Sequence, residues 1–415
     1  MISNYKKIIS NLSYLVIIEA VNKVLPLLVV PYILNILGLE KYGLLAFSLA
    51  IIMYFKILTS YSFDLTATKF ISEHKENKAV TSEYYWHIIF TKFFLLFISF
   101  CLLLISIFLF DKLYLEKEVL LFTFLMIVGE VLTPLWFFRG IEEMKYVAYL
   151  SVLTKLLYTI SIFIFIHESS DYVLIPLLNS IAFLVVGIFA QLYIYNKFKI
   201  SFTFPKVKTI KDLLIEGKDI FLSNITVSLY TTTNSVLLGS LVGYTAVGIY
   251  TIAETIYSAF LQLIYTYNTV VYPHLAKYLN NKVEFIIQAR KLFLVYLGVL
   301  IVASLSLYIL SDFTINLLFG KEHKKSIEIL HLLTLLLLLM PIGGYLTHYL
   351  ALKSDYKIIR KINIHTMFVN FILVYPLLVT YQEKGMAYLM IVVSIFMVIQ
   401  NIQYTKELFT YKDKK

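Results

Sequence analysis

Long apolar stretches follow one another along almost the whole of this chain, and they constrain its fold more than any other feature of the sequence. Each is about as long as the roughly 20 residues that an α-helix needs to cross the hydrocarbon core of a bilayer. The composition agrees, because 60% of the 415 residues are hydrophobic and only 15% are charged. A soluble globular domain carries more polar surface than this. The sequence therefore predicts an all-α integral membrane protein.

About twelve stretches meet the length requirement for a membrane-spanning helix. They are Leu12–Leu34, Gly43–Leu65, Tyr85–Phe110, Val119–Phe138, Val147–Ile166, Tyr172–Tyr195, Ile220–Leu241, Val247–Tyr272, Leu292–Leu310, Ile327–Leu352, Ile362–Thr380 and Met386–Phe409. The first of them is too long for a cleavable signal peptide and is predicted to be an uncleaved anchor. The single Cys101 lies inside an apolar stretch, which excludes a disulfide framework and a thiolate metal site.

The basic residues of the loops predict the orientation of the chain in the membrane. Most loop lysines and arginines fall on the side that also holds both termini. By the positive-inside rule this side is cytoplasmic, so we expect a protein of the bacterial inner membrane with both termini in the cytoplasm. The same loop bias explains the net charge of +10 without a nucleic-acid partner.

A short motif recurs about half a chain length later. GLEKYGL at positions 38–44 reappears as GYTAVGI at 243–249, and each copy lies between two predicted spans. An even number of helices in each half gives both halves the same orientation, which indicates a parallel repeat about an axis along the membrane normal. We therefore predict two six-helix bundles, residues 1–205 and 206–415, with a binding site between them.

Polar residues form stripes along several predicted helices, and lipid-facing surfaces have no need of such stripes, whereas an internal cavity has. In the first half the stripes are cationic, and in the second half they are polar but nearly uncharged. The candidates for facing such a cavity and its ligand in these stripes are Asn22, Ser60, Asn224, Ser228, Gln262 and Tyr265.

Four lysines lie inside predicted spans of the first half: Lys23, Lys56, Lys92 and Lys155. Each costs roughly 2.5–3.5 kcal/mol at a helix centre, so each is expected to face water, a counter-ion or a ligand. Lys92 and Lys155 are near the cytoplasmic end, and snorkelling is the alternative for them. Lys56 has no acid within one turn of its helix, which makes it the first candidate for ligand contact.

Four acids are candidates for coupling to H⁺ or Na⁺ or for gating: Glu19, Asp64, Glu130 and Glu254. Glu19 precedes Lys23 by four residues, so a structural ion pair is the alternative for both. The sequence holds no metal-binding, nucleotide-binding or hydrolase motif, and we expect neither an enzyme nor a cofactor or metal.

Four stretches resemble the polysaccharide flippase family, the O-antigen and capsule repeat-unit translocases of the multidrug/oligosaccharidyl-lipid/polysaccharide exporter superfamily. They are PYILNILGLEKYGLLAF at 31–47, SYSFDLTATK at 60–69, PLWFFRGIEEMKY at 134–146, and the stretch from TTNSVLLG at 232–239 to Gly248-Ile-Tyr250. Two positions depart from the family pattern. Arg139 stands where the family often has glutamine, and Asn234 stands where many members have aspartate, which weakens cation coupling at that position.

The resemblance implies a MATE-like fold whose central cavity opens alternately to the two sides of the membrane. It also implies a substrate of undecaprenyl pyrophosphate bearing a short oligosaccharide, destined for O-antigen of lipopolysaccharide or for capsule. The lysines of the first bundle would then hold the pyrophosphate, and the second bundle would meet the sugar. Polymerase and chain-length proteins of the same pathway are the implied partners, besides the lipid bilayer.

Three alternatives stay open. One is a cation-coupled small-molecule exporter of the same superfamily, although the excess of intramembrane lysine argues against cationic substrates. The second is a membrane-embedded glycan polymerase or ligase, which usually places catalytic residues in a large external loop. The longest external loop, near Ser311–Ser326, is short. The third is a scaffold within a glycan assembly complex.

Overall fold

The computed structural model describes the backbone of residues 2–410. Within that range it describes all side chains except those at positions 2–13, 15–17, 19, 20, 23, 207, 230, 266, 268–270, 273 and 410. This part of the chain is helical and holds no strand. The helices are α1 (Ile2–Ser60), α2 (Phe63–His74), α3 (Lys78–Leu109), α4 (Asp111–Leu115), α5 (Lys117–Leu132), α6 (Leu135–Gly140), α7 (Met144–Phe165), α8 (Leu174–Phe198), α9 (Val207–Leu241), α10 (Tyr244–Ala276), α11 (Lys282–Phe319), α12 (Lys324–Leu352), α13 (Tyr356–Tyr404) and α14 (Lys406–Thr410), with a 3₁₀ turn at Ser169–Val173.

Two of these helices are broken internally and carry two predicted spans each. The break in α1 is at Gly38, with φ 76°, and the break in α13 is at Gln382, with φ 51°. Ten helical stretches of the described residues are long and apolar enough to cross a membrane, and one of them, Val24–His74, includes the second part of α1. The chain is therefore a multi-pass, all-helical membrane protein. Among the described residues α9 is not one of the ten, so the count of twelve stays a prediction.

The chain divides into two compact units, residues 1–228 and 229–415. The division falls inside α9, whereas the sequence places it between 205 and 206, just before that helix. The predicted domain limits and the relation of the halves by a repeat stay predictions.

The glycines of the repeated motif have similar backbone conformations. Gly38 has φ 76° and ψ 172°, and Gly243 has φ 124° and ψ 168°. Both lie in a region that is essentially restricted to glycine, because a Cβ there is strained. Each glycine also separates two long helices. The motif thus produces the same kind of helix break at its two occurrences.

The core of the first unit is aromatic. Trp136, Phe137 and Phe138 of α6 are almost fully buried and pack with Phe63 and Tyr85 from α2 and α3. The Tyr85 hydroxyl donates a hydrogen bond to the side-chain oxygen of Gln191 at 2.7 Å. This pairing satisfies a polar group inside an apolar layer.

Helices α5 and α8 cross at two glycines. A Cβ added to Gly129 would lie 2.4 Å from the backbone carbon of Phe183, and a Cβ on Gly187 would lie 2.8 Å from the carbonyl oxygen of Gly129. Small residues at such crossings let helix backbones approach closely in membranes. The crossing fixes the position of α5 and of the residue after Gly129, which is Glu130.

We expect Gly129→Ala to destabilise the protein by about 1–3 kcal/mol, because the added methyl group forces α5 and α8 apart. The midpoint of thermal unfolding in detergent measures this loss. Gly298→Ala is the matched control, since Gly298 is helical and has no atom within 4 Å of an added Cβ. The control is expected to gain about 0.5–1 kcal/mol from the better helix propensity of alanine. Equal midpoints for the two variants would contradict the close crossing.

Apolar side chains cover the outer surface of several helices. On α11, Val302, Leu305, Ile309 and Leu317 are each more than half exposed. Water would strongly disfavour such a surface, whereas lipid tails match it. The exposed apolar residues therefore face the bilayer.

Ion pairs stabilise the ends of helices in the second unit. Lys325 contacts the buried Glu383 at 2.6 Å, joining α12 to α13. Glu407 of α14 accepts hydrogen bonds from Lys353 at 2.6 Å and from the Tyr349 hydroxyl at 2.9 Å. These charges have structural partners within the unit.

Candidate functional site

The first unit contains a cavity of about 360 Å³, called here the cationic cavity, that is lined by charged and hydroxyl-bearing side chains. The charged residues of its wall are Lys56, Asp64, Lys92, Glu130, Arg139 and Lys155, and the polar ones are Asn22, Thr59, Ser60, Thr133, Ser151 and Thr154. Four cations against two carboxylates leave a formal charge of +2. Such a wall favours an anionic ligand.

The Lys56 ammonium forms an ion pair with Glu130, at 2.6 Å between Nζ and Oε1. Lys56 is on α1 and Glu130 is on α5, with 35% and 22% of their side-chain surfaces exposed. The sequence argument considered acids within one turn of the same helix only, whereas the counter-ion of Lys56 comes from a different helix. The contact of Lys56 with a ligand stays a prediction.

Three cations of the cavity have no such counter-ion. Among the side chains that the structure describes, none forms an ion pair within 4 Å with Lys92, Arg139 or Lys155. Lys92 is only 6% exposed, so it does not reach the surface of the protein by snorkelling. A buried charge without a partner destabilises a fold, which makes such a residue a candidate for function.

Arg139 reaches the cavity because the chain breaks between α5 and α6. Thr133, before Pro134, leaves the helical region, with φ −103° and ψ 86°, as expected for a residue that precedes proline. The Thr68 hydroxyl of α2 donates to the carbonyl of Trp136 at 3.2 Å. Gly140 lies so close to Ile71 that an added Cβ would be 2.6 Å from the Cβ of that residue. These contacts hold α6, and with it Arg139, against α2.

Besides Glu130, six of the thirteen other predicted site residues come together at this cavity. They are Asn22, Lys56, Ser60, Asp64, Lys92 and Lys155. The side chains of Glu19 and Lys23 lie outside those that the structure describes.

The remaining candidates lie elsewhere. Asn224 of α9 donates to the carbonyl of Tyr61 at 3.4 Å, and Ser228 lines a separate, mostly apolar cavity of about 230 Å³. Glu254, Gln262 and Tyr265 are on α10, in the second unit, and none of the three is without an interaction partner. Their roles stay predictions.

Several residues of the wall were missed or underrated by the sequence analysis. Arg139 was considered only as a loop charge and as a departure from the family pattern, and Glu130 was considered only as a candidate carrier of H⁺ or Na⁺, not as the partner of Lys56. Thr59, Thr133, Ser151 and Thr154 were not identified. The position of Glu130 could have been recognised as part of the site from the sequence, because an acid inside an apolar span is costly to bury.

The fold is shared with transporters of known structure. A multidrug resistance MATE family transporter of the MOP superfamily, in an inward-facing conformation, superposes with a TM-score of 0.67 at 14% identity over 97% of this chain and 99% of its own. The lipid II flippase MurJ, in an inward closed conformation, gives a TM-score of 0.72 at 16% identity over 92% and 85%. The protein thus has the fold of these membrane transporters.

Relatives found by sequence indicate the family to which the chain belongs within this fold. A protein of Escherichia coli (strain K12) named "Putative O-antigen transporter" is 28% identical over 91% of both chains. One of the same name from Shigella dysenteriae is 25% identical over 95% of this chain and 99% of its own. The family model described as polysaccharide biosynthesis protein matches residues 8–279. The chain belongs to this family, and the predicted resemblance is confirmed. The relatives are named as transporters, which confirms the expectation that the protein is not an enzyme.

Proposed function

We propose that this protein is a flippase that moves undecaprenyl-pyrophosphate-linked oligosaccharide repeat units from the cytoplasmic to the outer leaflet of the bacterial inner membrane. The observation that supports this most strongly is the cationic cavity of a membrane-embedded unit, in which Lys92, Arg139 and Lys155 have no ion pair within 4 Å among the described side chains. A pyrophosphate diester bears one negative charge on each phosphate. It therefore matches the formal charge of +2 on the wall.

The chemistry of the wall also fits phosphate oxygens. Lysine and arginine form short charge-assisted hydrogen bonds to phosphate, and arginine does so with two parallel donors. The hydroxyls of Ser60, Ser151 and Thr59 add neutral donors at the same cavity. Bound substrate would neutralise the buried cations, and this interaction is absent when no substrate is bound.

In our proposal, sugar recognition is assigned mainly to polar residues outside the wall of the cationic cavity. Asn224, Ser228, Gln262 and Tyr265 are the candidates, with Asn22 and Ser60 at the cationic cavity. Alternating access moves the loaded site from one face to the other, with both termini in the cytoplasm. Glu19, Asp64 and Glu254 are the candidates for coupling to H⁺ or Na⁺.

The names of the relatives support O-antigen as the product, with capsule as a second destination. Proteins that polymerise the repeat unit and set chain length act on the flipped product, and they are the partners that the proposal implies.

The direct test is a flipping assay in a strain that lacks its own repeat-unit flippase but makes the matching lipid-linked oligosaccharide. We expect expression of this protein to move that oligosaccharide to the outer face of the inner membrane. The measurement is the fraction of labelled lipid-linked sugar accessible from the periplasmic side.

Failure of that movement, with the protein inserted and the sugar made, would contradict the proposal. Efflux of small cationic compounds by the same cells would then support the small-molecule exporter.

A further inference from the structure

The turn that joins α1 to α2 has a backbone conformation that is uncommon for its residue. Helix α1 ends at Ser60 and α2 begins at Phe63, and Tyr61 between them has φ 49°. This left-handed region is disfavoured for a bulky side chain. A residue stays in it only where the surrounding contacts determine its conformation. The contacts around Tyr61 therefore decide the course of the chain at this turn.

Those contacts come from the first part of α9. The Tyr61 hydroxyl donates a hydrogen bond to the carbonyl of Leu214 at 2.7 Å, and the Tyr61 ring stacks on Phe221 with centroids 4.3 Å apart. The side-chain amide of Asn224 donates to the Tyr61 carbonyl at 3.4 Å. All four residues belong to the first unit, and Tyr61 is only 9% exposed. Helix α9 thus holds both the side chain and the backbone of Tyr61.

A glycine lets α9 approach the turn this closely. A Cβ added to Gly217 would overlap the Oγ atom of Ser62, and it would lie 3.0 Å from Cε1 of Tyr61. Ser62 is itself buried, so its side chain has little room to move away. Any larger residue at position 217 therefore pushes α9 away from the turn.

The turn separates two parts of the wall of the cationic cavity. Thr59 and Ser60 at the end of α1 line this cavity, and so does Asp64 in the first turn of α2. Only residues 61–63 lie between them. The conformation of Tyr61 therefore sets the position of the two parts of the wall relative to each other.

We propose that Tyr61 is a positioning residue of the cationic cavity. Its contacts with α9 hold the left-handed conformation, and this conformation places Ser60 beside the cations of the wall. Helix α9 follows the first six predicted spans in the sequence, yet it stabilises a wall that those spans form. The role of Tyr61 in transport rests on the flippase proposal, in which Ser60 donates to phosphate. Its effect on the position of Ser60 does not.

Chemical modification of a thiol introduced by Ser60→Cys measures this placement without an assay of transport. The background is Cys101→Ala, which removes the single native thiol. The purified full-length protein, in an uncharged detergent, reacts with an anionic or a cationic methanethiosulfonate reagent, and each rate is divided by that of a free thiol. Ser60 is partly exposed, so the reagents can reach it. Because the wall bears a formal charge of +2, we expect the anionic reagent to react at least about tenfold faster.

Two variants remove the contacts with α9 without changing a charge. Gly217→Ala and Tyr61→Ala are each expected to reduce the preference for the anionic reagent about tenfold, because the turn relaxes and the new thiol moves away from the cations. Ser62→Gly, added to Gly217→Ala, makes room for the methyl group and is expected to restore most of the preference. Tyr61→Phe keeps the stacked ring and is expected to keep most of it.

The matched control is a thiol introduced by Ser151→Cys. Ser151 is on α7 and lines the same cavity away from the turn. Its preference for the anionic reagent is expected to stay the same in every variant. Gel filtration confirms that each variant is folded.

Three results would overturn the proposal. The first is no anionic preference at position 60 in the otherwise unchanged protein, and the second is an unchanged preference there in both Gly217→Ala and Tyr61→Ala. The third is an equal fall at position 151, which would show that the whole cavity had collapsed. In the flipping assay the same two variants are expected to lose transport, and Ser62→Gly is expected to rescue Gly217→Ala. A parent protein that moves no lipid-linked sugar but shows the expected thiol reactivity would contradict the flippase proposal alone.

Discussion

Lys92→Met is expected to abolish transport while raising the stability of the protein. Lys92 is buried, lines the cationic cavity and has no ion-pair partner among the described side chains. Methionine keeps an unbranched chain of similar length but removes the charge, so the cost of burying that charge disappears. We expect a gain of about 1 kcal/mol or more in the free energy of unfolding, together with at least a tenfold loss of transport.

Thermal unfolding in detergent and the flipping assay measure the two effects on the same preparation. Lys69→Met is the matched control, because the Lys69 side chain is 78% exposed and lies outside the cavity. It is expected to change neither quantity. A Lys92→Met protein that is less stable and still active would show that Lys92 serves the fold and not the substrate.

Neutralising Lys56 and Glu130 together is expected to restore stability but not transport. Lys56→Met alone leaves the carboxylate of Glu130 without its partner at 2.6 Å. Because both side chains are partly exposed, the expected loss is about 1–2 kcal/mol, below that of a fully buried pair. In Lys56→Met/Glu130→Gln neither position is left with an unpaired charge, so most of this loss should be recovered.

The flipping assay distinguishes two roles of Lys56, contact with the substrate and pairing with Glu130. If it contacts the phosphate, both Lys56→Met and the double variant fail in the flipping assay. Glu130→Gln alone raises the formal charge of the wall from +2 to +3, and we expect tighter retention of substrate and slower release. Normal flipping by the double variant would mean that the pair only holds α1 to α5.

The sequence predicts the lysines of the site better than their surroundings. Lys56, Lys92 and Lys155 could be identified because a charge inside an apolar span is costly wherever it lies. The pairing of Lys56 with Glu130 could not, since the two residues lie on different helices, α1 and α5, and the apolar pattern of a single helix does not show which other helix it contacts.

Arg139 illustrates a second limit. Its position at the end of a span predicts a cytoplasmic loop residue, but the break at Pro134 and the packing of α6 on α2 bring it to the cavity wall. Helix propensity and loop charge carry no information about such a turn. For the fold, the long apolar stretches sufficed to predict helices and membrane insertion, whereas the predicted domain limits stay a prediction.

Because Lys56 is already paired with Glu130, an anionic ligand has to compete with the Glu130 carboxylate for the Lys56 ammonium. An incoming anion must displace a carboxylate that is already 2.6 Å from Lys56, so at this position it gains only the difference between two ion pairs. A small anion that touches Lys56 alone gains little from the exchange. A ligand that also contacts Lys92, Arg139 and Lys155 gains from cations that have no ion pair within 4 Å among the described side chains. On release of the proposed substrate, Glu130 is close enough to pair with Lys56 again, so the protein does not return to a state with an unpaired Lys56.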